Sequence, residues 1–214
     1  MIQSAVAFVA ALVLAAGPAA AAPLKIVALG DSLTAGYGLG PGEGFVPRLQ
    51  AALRAAGHDV TVVDAGVSGD TASDGLARLD WSVGDDAGAV IVELGGNDAL
   101  RGIDPAVTRA ALDALLARLA ARRLPVLLAG MRAPPNLGAD YAATFDPIYG
   151  DLSARHGVAL YPFFLDGVAA DAALNQADGI HPNAAGVGVL VGRILPAVEA
   201  LLARAANGAA LAPG

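Results

Sequence analysis

Four short segments of the sequence contain residues suited to acyl transfer. They read GDSL at 30–33, SGDT at 68–71, GGND at 95–98 and DGIHPN at 178–183. The hydroxyl of Ser32 is a weak nucleophile, and the imidazole of His181 can activate it when the carboxylate of Asp178 fixes the tautomer. The backbone N–H groups of Ser32 and Gly69 and the side-chain amide of Asn97 can donate to the tetrahedral oxyanion.

Short apolar strands separated by helices are the elements that must position these residues. The strand-like segments span 24–30, 59–66, 88–95, 124–130 and 157–163, and the clearest helical segments span 45–57, 104–123 and about 184–204. Strands that are apolar on both faces and alternate with helices indicate an α/β fold with a covered parallel sheet. In such sheets ligands bind beyond the carboxyl ends of the strands. Because three strands lead into Ser32, Gly69 and Asn97, we expect these residues to meet at one edge.

Each of these residues also has an ordinary structural explanation. A serine after a strand often caps a helix, and a lone histidine is more often a core or surface residue than a base. Gly69 can serve a positive φ, Asn97 can form an Asx turn, and the aspartates can cap helices. Four separate loops would have to place these groups at one edge by accident, so the catalytic interpretation is favoured.

Length, composition and charge exclude several classes of protein. The chain has 214 residues, of which 56% are hydrophobic and 15% charged, which fits a single folded domain. A formal charge of −7 argues against a nucleic-acid partner. The chain has no cysteine, and its three histidines, His58, His156 and His181, are far apart in sequence. We therefore expect no disulfide and no metal site.

The N-terminus has the order of segments typical of a secretory leader. An apolar run from Ala5 to Ala16 is followed by Gly17, Pro18 and small residues, which predicts a signal peptide at 1–21 with cleavage after Ala21. The alternatives are a transmembrane anchor or a buried helix, but the run is short of the roughly 20 residues that a span needs. We expect a periplasmic or secreted monomer without stable membrane insertion. Its single domain would span 22–206, with a disordered tail at 207–214.

Two further expectations concern packing. The periodicity of the segment 104–123 predicts that one helical face carries Val107, Ala111, Leu115 and Leu119. Trp81, the single tryptophan, is expected to pack in the core or anchor a helix rather than form a platform for substrate.

The four segments together resemble the sequence blocks of the GDSL, or SGNH, hydrolases. GDSLTAGYG, VSGDT, GGND and DGIHPN occur in the family's order across nearly the whole mature chain. GDSLTAGYGL, SGDT followed by GLARL, and GGNDALRG are similar to the group of periplasmic bacterial arylesterases and acyl-CoA thioesterase I/lysophospholipases. The resemblance implies a three-layer αβα sandwich with a flavodoxin-like five-stranded parallel sheet, and a serine esterase that needs no cofactor.

The same resemblance assigns roles to five residues. It implies that Ser32 is the nucleophile, His181 the base and Asp178 the acid that orients it. It also implies that the Ser32 amide, Gly69 and Asn97 form the oxyanion hole.

Two loops are candidates for substrate binding. The loops 98–103 and 131–141 follow strands at the same edge, and family resemblance suggests that they wall an acyl groove. The residues in them that suit an alkyl chain are Leu100, Ile103, Pro134 and Leu137. The alternative is that they are ordinary covering loops. The expected substrates are small acyl esters and thioesters, including aryl esters and lysophospholipids.

Two other functions are compatible with these motifs. A carbohydrate O-acetylesterase could share all four blocks, but a content of 5% Phe, Trp and Tyr disfavours stacking on sugars. A non-catalytic acyl-binding protein could use the amides of Gly69 and Asn97 to hold a carboxylate. Such a protein has no use for a combination of Ser, His and Asp, so this second alternative is disfavoured.

Overall fold

Five parallel strands form the sheet at the centre of the molecule. A computed structural model describes residues 23–210, and the predicted signal peptide at 1–21 lies outside them. The strands are β1 (Leu24–Gly30), β2 (Val60–Gly66), β3 (Ala89–Glu93), β4 (Val126–Ala129) and β5 (Ala159–Tyr161). Their order in the sheet is β2-β1-β3-β4-β5, and every neighbouring pair is parallel. This is the flavodoxin-like order, so the fold prediction is confirmed.

Helices cover both faces of the sheet. They are α1 (Ser32–Ala35), α2 (Phe45–Ala55), α3 (Ala72–Ala77), α4 (Leu79–Ser82), α5 (Gly96–Leu100), α6 (Pro105–Ala121), α7 (Gly138–Phe145), α8 (Pro147–His156) and α9 (Ala184–Ala210), with a 3₁₀ turn at Pro135–Leu137. Helices α2 and α9 pack together on one face, while α6 contacts both α3 and α8 on the other. The result is the three-layer arrangement that the alternation of strands and helices predicts.

The central strands explain why the sheet needs two helical layers. Every residue of β3 and every residue of β4 is buried, as expected for strands covered on both faces. Strand β5, at the edge, is shorter and only half-buried. The register aligns Gly30 of β1 with Gly66 of β2 and Glu93 of β3, so these three strands end at the same edge.

Helix α9 packs against the sheet, although it is long and apolar enough to resemble a membrane span. Its segment Ala184–Asn207 has the length and hydropathy of a membrane span. However, one side of the helix, which includes Leu190, Ile194 and Val198, is buried against α2 and strands β3 to β5. The helix continues to Ala210, so the first residues of the predicted tail are helical, and residues 211–214 lie outside the described part.

Two packing expectations are wrong, those for Val107 and Trp81, whereas Ala111, Leu115 and Leu119 are buried on one face of α6 as predicted. Val107 is 48% exposed, because the buried stripe of α6 runs instead through Thr108, Ala111, Leu112, Leu115, Leu116 and Leu119. Trp81 is 86% exposed on α4, where Leu79 supplies the buried contact and is fully inaccessible. A four-residue helix has too few turns for sequence periodicity to indicate which side faces the core.

These exposures predict a contrast between two substitutions on the same short helix. Trp81→Ala should change the free energy of unfolding by no more than about 0.5 kcal/mol, because an exposed side chain loses little packing. Leu79→Ala removes a fully buried side chain and should destabilise the protein by about 2–5 kcal/mol. Urea unfolding followed by circular dichroism measures both. Equal losses in the two variants would contradict the orientation of α4.

Candidate active site

A chain of two hydrogen bonds joins Ser32, His181 and Asp178. The Ser32 Oγ lies 2.9 Å from Nε2 of His181, and Nδ1 of the same ring lies 2.7 Å from Oδ2 of Asp178. Ser32 is the first residue of α1, directly after β1, whereas the other two lie in the loop before α9. The structure thus brings together the three residues that the sequence predicted as nucleophile, base and acid.

The aspartate and histidine are held by a turn of their own. The second carboxylate oxygen of Asp178, Oδ1, accepts from the backbone N–H groups of Ile180 at 2.9 Å and His181 at 3.0 Å. Gly179 completes the turn with φ +69°. The backbone N–H of His181, followed by that of Ile180 and the His181 ring, lowers the pKa of Asp178 to about 2. The carboxylate is therefore anionic at neutral pH, and it holds a proton on Nδ1 so that Nε2 can accept one.

The start of α1 positions the serine. Asp31 is the N-cap, and its Oδ1 accepts from the Leu33 N–H at 3.0 Å. Ser32 is only 8% exposed. Its own N–H is the first of the helix, so it has no acceptor within α1 and remains available to a ligand.

Gly69 and Asn97 lie at the ends of the neighbouring strands, as predicted. Gly69 adopts φ +90°, and its carbonyl accepts from the Arg101 guanidinium at 2.7 Å. The Asn97 Nδ2 donates to Oδ2 of Asp31 and to the carbonyl of Asp70, both at 3.0 Å. These two bonds fix the plane of the amide but engage both of its hydrogens. An oxyanion at this position must therefore share one of these hydrogens or displace one of the two acceptors.

Arg78 ties together the loops that carry these donors. Its guanidinium donates to the carbonyls of Gly30 and Ala65 at 2.8 Å each, and its Nε lies 2.5 Å from Oδ2 of Asp70. The side chain is 16% exposed. A single arginine thus joins the ends of β1 and β2 to the segment whose carbonyl orients Asn97.

Glu93 is a second buried carboxyl group near the serine, in addition to Asp31. Glu93, the last residue of β3, is fully buried, and its Oε2 accepts from the Thr34 hydroxyl at 2.7 Å and weakly from the Asp31 N–H at 3.4 Å. Its Oε1 has no hydrogen-bond partner among the described residues. A Cβ on Gly30 would lie 2.0 Å from the Thr34 hydroxyl and 2.7 Å from Oε2. Position 30, before the Asp-Ser pair, is therefore a glycine because the side chains of Thr34 and Glu93 occupy the space that a Cβ would need.

Burial makes both carboxyl groups weak acids. Desolvation raises the pKa of Asp31 to about 6, although hydrogen bonds from Leu33 and Asn97 oppose the shift. Desolvation, followed by the charge of Asp31, raises the pKa of Glu93 well above its usual value. The pair therefore carries at most one negative charge at neutral pH.

An apolar cleft of about 370 Å³ opens beside Ser32 and His181. Of the four residues predicted to contact an alkyl chain, Leu100 and Pro134 line this cleft. Ile103 and Leu137 are not part of its lining. The carbonyl of Ile103 accepts from the Tyr141 hydroxyl at 2.7 Å, and Leu137 lies against Gly102, so both residues join the two loops to each other.

One part of the cleft lining was not predicted from the sequence. It consists of Phe163, Leu165, Ala169 and Ala170 from the segment after β5. Met131, the first residue of the predicted loop 131–141, and Ile180 also line the cleft. The apolar run PFFL at 162–165 was the available indication, because it continues beyond the end of a short strand.

The lining suits an acyl chain rather than a metal ion. Within residues 23–210, no group of three or more His, Cys, Asp or Glu side chains is arranged to hold a metal. The residues of the lining that have polar side chains are Asp31, Ser32, Asn97, Arg132, Asn175 and His181.

The buried carboxyl pair predicts an unusual dependence of stability on pH. The folded protein binds protons more tightly at Asp31 and Glu93 than the unfolded chain does, so its stability falls as the pH rises from 3.8 through about 6 and above. In Glu93→Gln the amide oxygen can still accept from Thr34, but one titrating group is lost. We expect a smaller decline in the free energy of unfolding between pH 4.5 and 7.5, measured with urea.

Glu43→Gln is the matched control, because Glu43 is partly exposed and its carboxylate accepts from the backbone N–H of Gly40, a bond that the amide oxygen of glutamine can keep. It should retain the wild-type decline. A Glu93→Gln variant with the wild-type decline would show that Glu93 does not bind a proton on folding.

Comparison with known proteins identifies the family of this chain. The model of the GDSL-like lipase/acylhydrolase family matches residues 28–189. Esterase TesA of Pseudomonas aeruginosa is 42% identical over 193 residues, 90% of this chain and 95% of that protein. Thioesterase 1/protease 1/lysophospholipase L1 of Escherichia coli K12 is 39% identical over 165 residues, 77% of this chain and 78% of that protein. AlinE4, an SGNH-hydrolase family esterase of known crystal structure, has a TM-score of 0.72 at 46% identity, covering 86% of this chain and 99% of its own. The chain belongs to the GDSL-like lipase/acylhydrolase family.

Proposed function

We propose that this protein is an exported serine esterase that hydrolyses carboxylic esters and thioesters through an acyl-enzyme on Ser32. The observation that supports this most directly is the 2.9 Å contact between Ser32 Oγ and His181 Nε2 at the end of an apolar cleft. A nucleophile, a base with a fixed tautomer and nearby amide donors are together what acyl transfer requires.

In the first half of the reaction, Ser32 Oγ attacks the acyl carbon. Its proton moves to Nε2 of His181 as the C–O bond forms, and the carbonyl electron pair moves onto the oxygen. The N–H groups of Ser32 and Gly69 and the side chain of Asn97 stabilise this oxyanion, and Asp178 stabilises the imidazolium. When the tetrahedral intermediate collapses, His181 gives the proton to the departing alcohol or thiol, and the acyl group remains on Ser32.

The second half repeats these steps with water. The neutral imidazole of His181 takes a proton from a water molecule, whose oxygen attacks the acyl carbon of the acyl-enzyme. The second tetrahedral intermediate expels Ser32 Oγ, which recovers its proton from the imidazolium. The products are the free carboxylic acid and the restored serine hydroxyl, so the cycle needs no cofactor.

The cleft supports substrates with an alkyl or aryl acyl group. Leu100, Pro134, Phe163 and Leu165 present apolar surface beside the serine, and each methylene group buried against them contributes about 0.8 kcal/mol. The proposed substrates include aryl esters, acyl thioesters and lysophospholipids, which are the classes named for the relatives. An acetyl group is too short to bury apolar surface in the outer part of this cleft, so an acetylesterase would have no use for it.

The proposed location is the periplasm or the exterior of the cell, with the leader at 1–21 removed, and the proposed working form is a monomer. The order of the apolar run, the Gly17-Pro18 pair and the small residues before Pro23 supports export. The mass of the protein recovered from the periplasm of an expressing cell tests cleavage after Ala21.

The serine mechanism predicts a specific loss of activity. Ser32→Ala should reduce the hydrolysis of p-nitrophenyl butyrate by at least about 1000-fold, because no other group at this position can form an acyl-enzyme. Ser73→Ala, on an exposed serine of α3, is the matched control and should retain wild-type activity. Wild-type rates in Ser32→Ala would overturn the assignment of the nucleophile.

The dependence of activity on the length of the acyl chain tests whether the cleft binds that chain. We expect kcat/KM to increase from p-nitrophenyl acetate through butyrate to octanoate, by up to about fourfold per methylene group while the chain is still being buried. A preference for acetate would favour the acetylesterase alternative.

Substitution of Asp178 tests the role of its carboxylate in orienting His181. Asp178→Asn should reduce kcat by about three to four orders of magnitude, because the amide can hold the imidazole in the wrong tautomer. In the wild type, kcat/KM should rise with pH, because only the neutral imidazole can accept the proton of Ser32. A variant with wild-type kcat would contradict the proposed orientation of His181.

A further inference from the structure

The residues Gly36-Tyr37-Gly38, which follow the serine helix, have no role in the mechanism described above. The Tyr37 ring lies against the His181 imidazole, with 4.7 Å between the ring centroids and an angle of 41° between the planes. Tyr37 is 54% exposed, so this contact is not simply a consequence of core packing. We propose that Tyr37 is a positioning residue that stabilises the imidazolium of His181 while the proton of Ser32 resides on it. This inference rests on the proposed serine mechanism.

The backbone after Ser32 holds the tyrosine next to the histidine. Gly36 ends α1 with φ +71°, a conformation that favours glycine, and the N–H groups of Gly36 and Tyr37 both donate to the Ser32 carbonyl. The distance from the Tyr37 nitrogen to that carbonyl is 3.0 Å. The residue that carries the nucleophile therefore also anchors the backbone of the ring that covers the base.

Gln176 connects this backbone to the histidine loop. Its Nε2 donates to the carbonyls of Tyr37 at 2.7 Å and Pro182 at 3.0 Å, and its backbone N–H donates to the His181 carbonyl at 2.7 Å. A Cβ on Gly38 would lie 2.2 Å from Oε1 of Gln176. Glycine at position 38 thus allows the glutamine to bridge the two segments, and the bridge fixes Tyr37 relative to His181.

The ring face provides an electrostatic interaction that changes during the reaction. The π face of an aromatic ring is negative, so it attracts an imidazolium more strongly than a neutral imidazole. The other groups that face His181 are the Asp178 carboxylate, the Ser32 hydroxyl and the Asp31 carboxyl group, and Arg132 lies in the lining of the adjacent cleft. Because the interaction is with an aromatic ring and not with a basic group, Tyr37 can favour the imidazolium without adding a competing proton acceptor.

The first test compares Tyr37→Leu with Tyr37→Phe. Leucine removes the π face, so we expect kcat/KM for p-nitrophenyl butyrate to fall about two- to fivefold and the midpoint of its acid limb to move about 0.4–0.7 pH units lower. Phenylalanine keeps the ring and should retain the wild-type rate and midpoint. Thermal unfolding of both variants checks that the fold is retained.

The second test measures the interaction without catalysis. The chain has three histidines, so proton NMR titration of the Ser32→Ala protein can follow His181 after assignment with the His58→Gln and His156→Gln variants. In this background Tyr37→Leu should move the midpoint of the His181 titration to lower pH, and Tyr37→Phe should leave it unchanged. If Tyr37→Leu leaves the midpoint in place, or if the phenylalanine variant shifts it equally, the proposal is wrong. If Tyr37→Leu shifts the His181 midpoint but the wild-type protein hydrolyses no ester, the proposed function is wrong and the interaction between Tyr37 and His181 is supported.

Discussion

The hydrogen bond between Ser32 and His181 joins two points of the chain that are 149 residues apart. For this bond to form, the end of the first strand and the loop before the last helix must meet at one edge of the sheet. The parallel order β2-β1-β3-β4-β5 achieves this, because it directs the carboxyl ends of all five strands to the same side. The strands that flank β1 then deliver Gly69 and Asn97 to the same place, and the segment after β5 supplies a wall of the cleft.

Three aspartate and glutamate side chains near the serine have different properties because their surroundings differ. Asp178 is partly exposed and accepts three hydrogen bonds, which keep it ionised. Asp31 is buried but still accepts from Leu33 and Asn97, so its pKa rises only to about 6. Glu93 is buried, one of its oxygens has no hydrogen-bond partner among the described residues, and desolvation raises its pKa well above the usual value. Asp178 therefore places a negative charge on the side of His181 that faces away from the serine, whereas the buried Asp31–Glu93 pair carries at most one charge between its two carboxyl groups.

Sequence reasoning predicted the residues that stand immediately after a strand or close together in the chain. Ser32, Gly69 and Asn97 are of this kind, and Asp178 and His181 are three residues apart. It could not predict side-chain directions in irregular segments. For this reason it placed Ile103 and Leu137 in the cleft, whereas these residues join the two loops. Glu93 looked like part of an apolar strand, and its role depends on the register that places it opposite Gly30. The wall from Phe163 to Ala170 has no periodicity from which its orientation could be inferred.

The positions of the site residues along the chain determine when the site can form during synthesis. Ser32 and its helix belong to the earliest part of the domain, whereas His181 is followed by α9, which must pack on the sheet before the loop that carries the base is supported. Chains grow from the N-terminus, so a nascent chain exposes the serine long before it contains the histidine. A growing or truncated polypeptide that lacks the last part of the domain consequently cannot form the hydrogen bond between Ser32 and His181, and the complete site arises only with the finished chain.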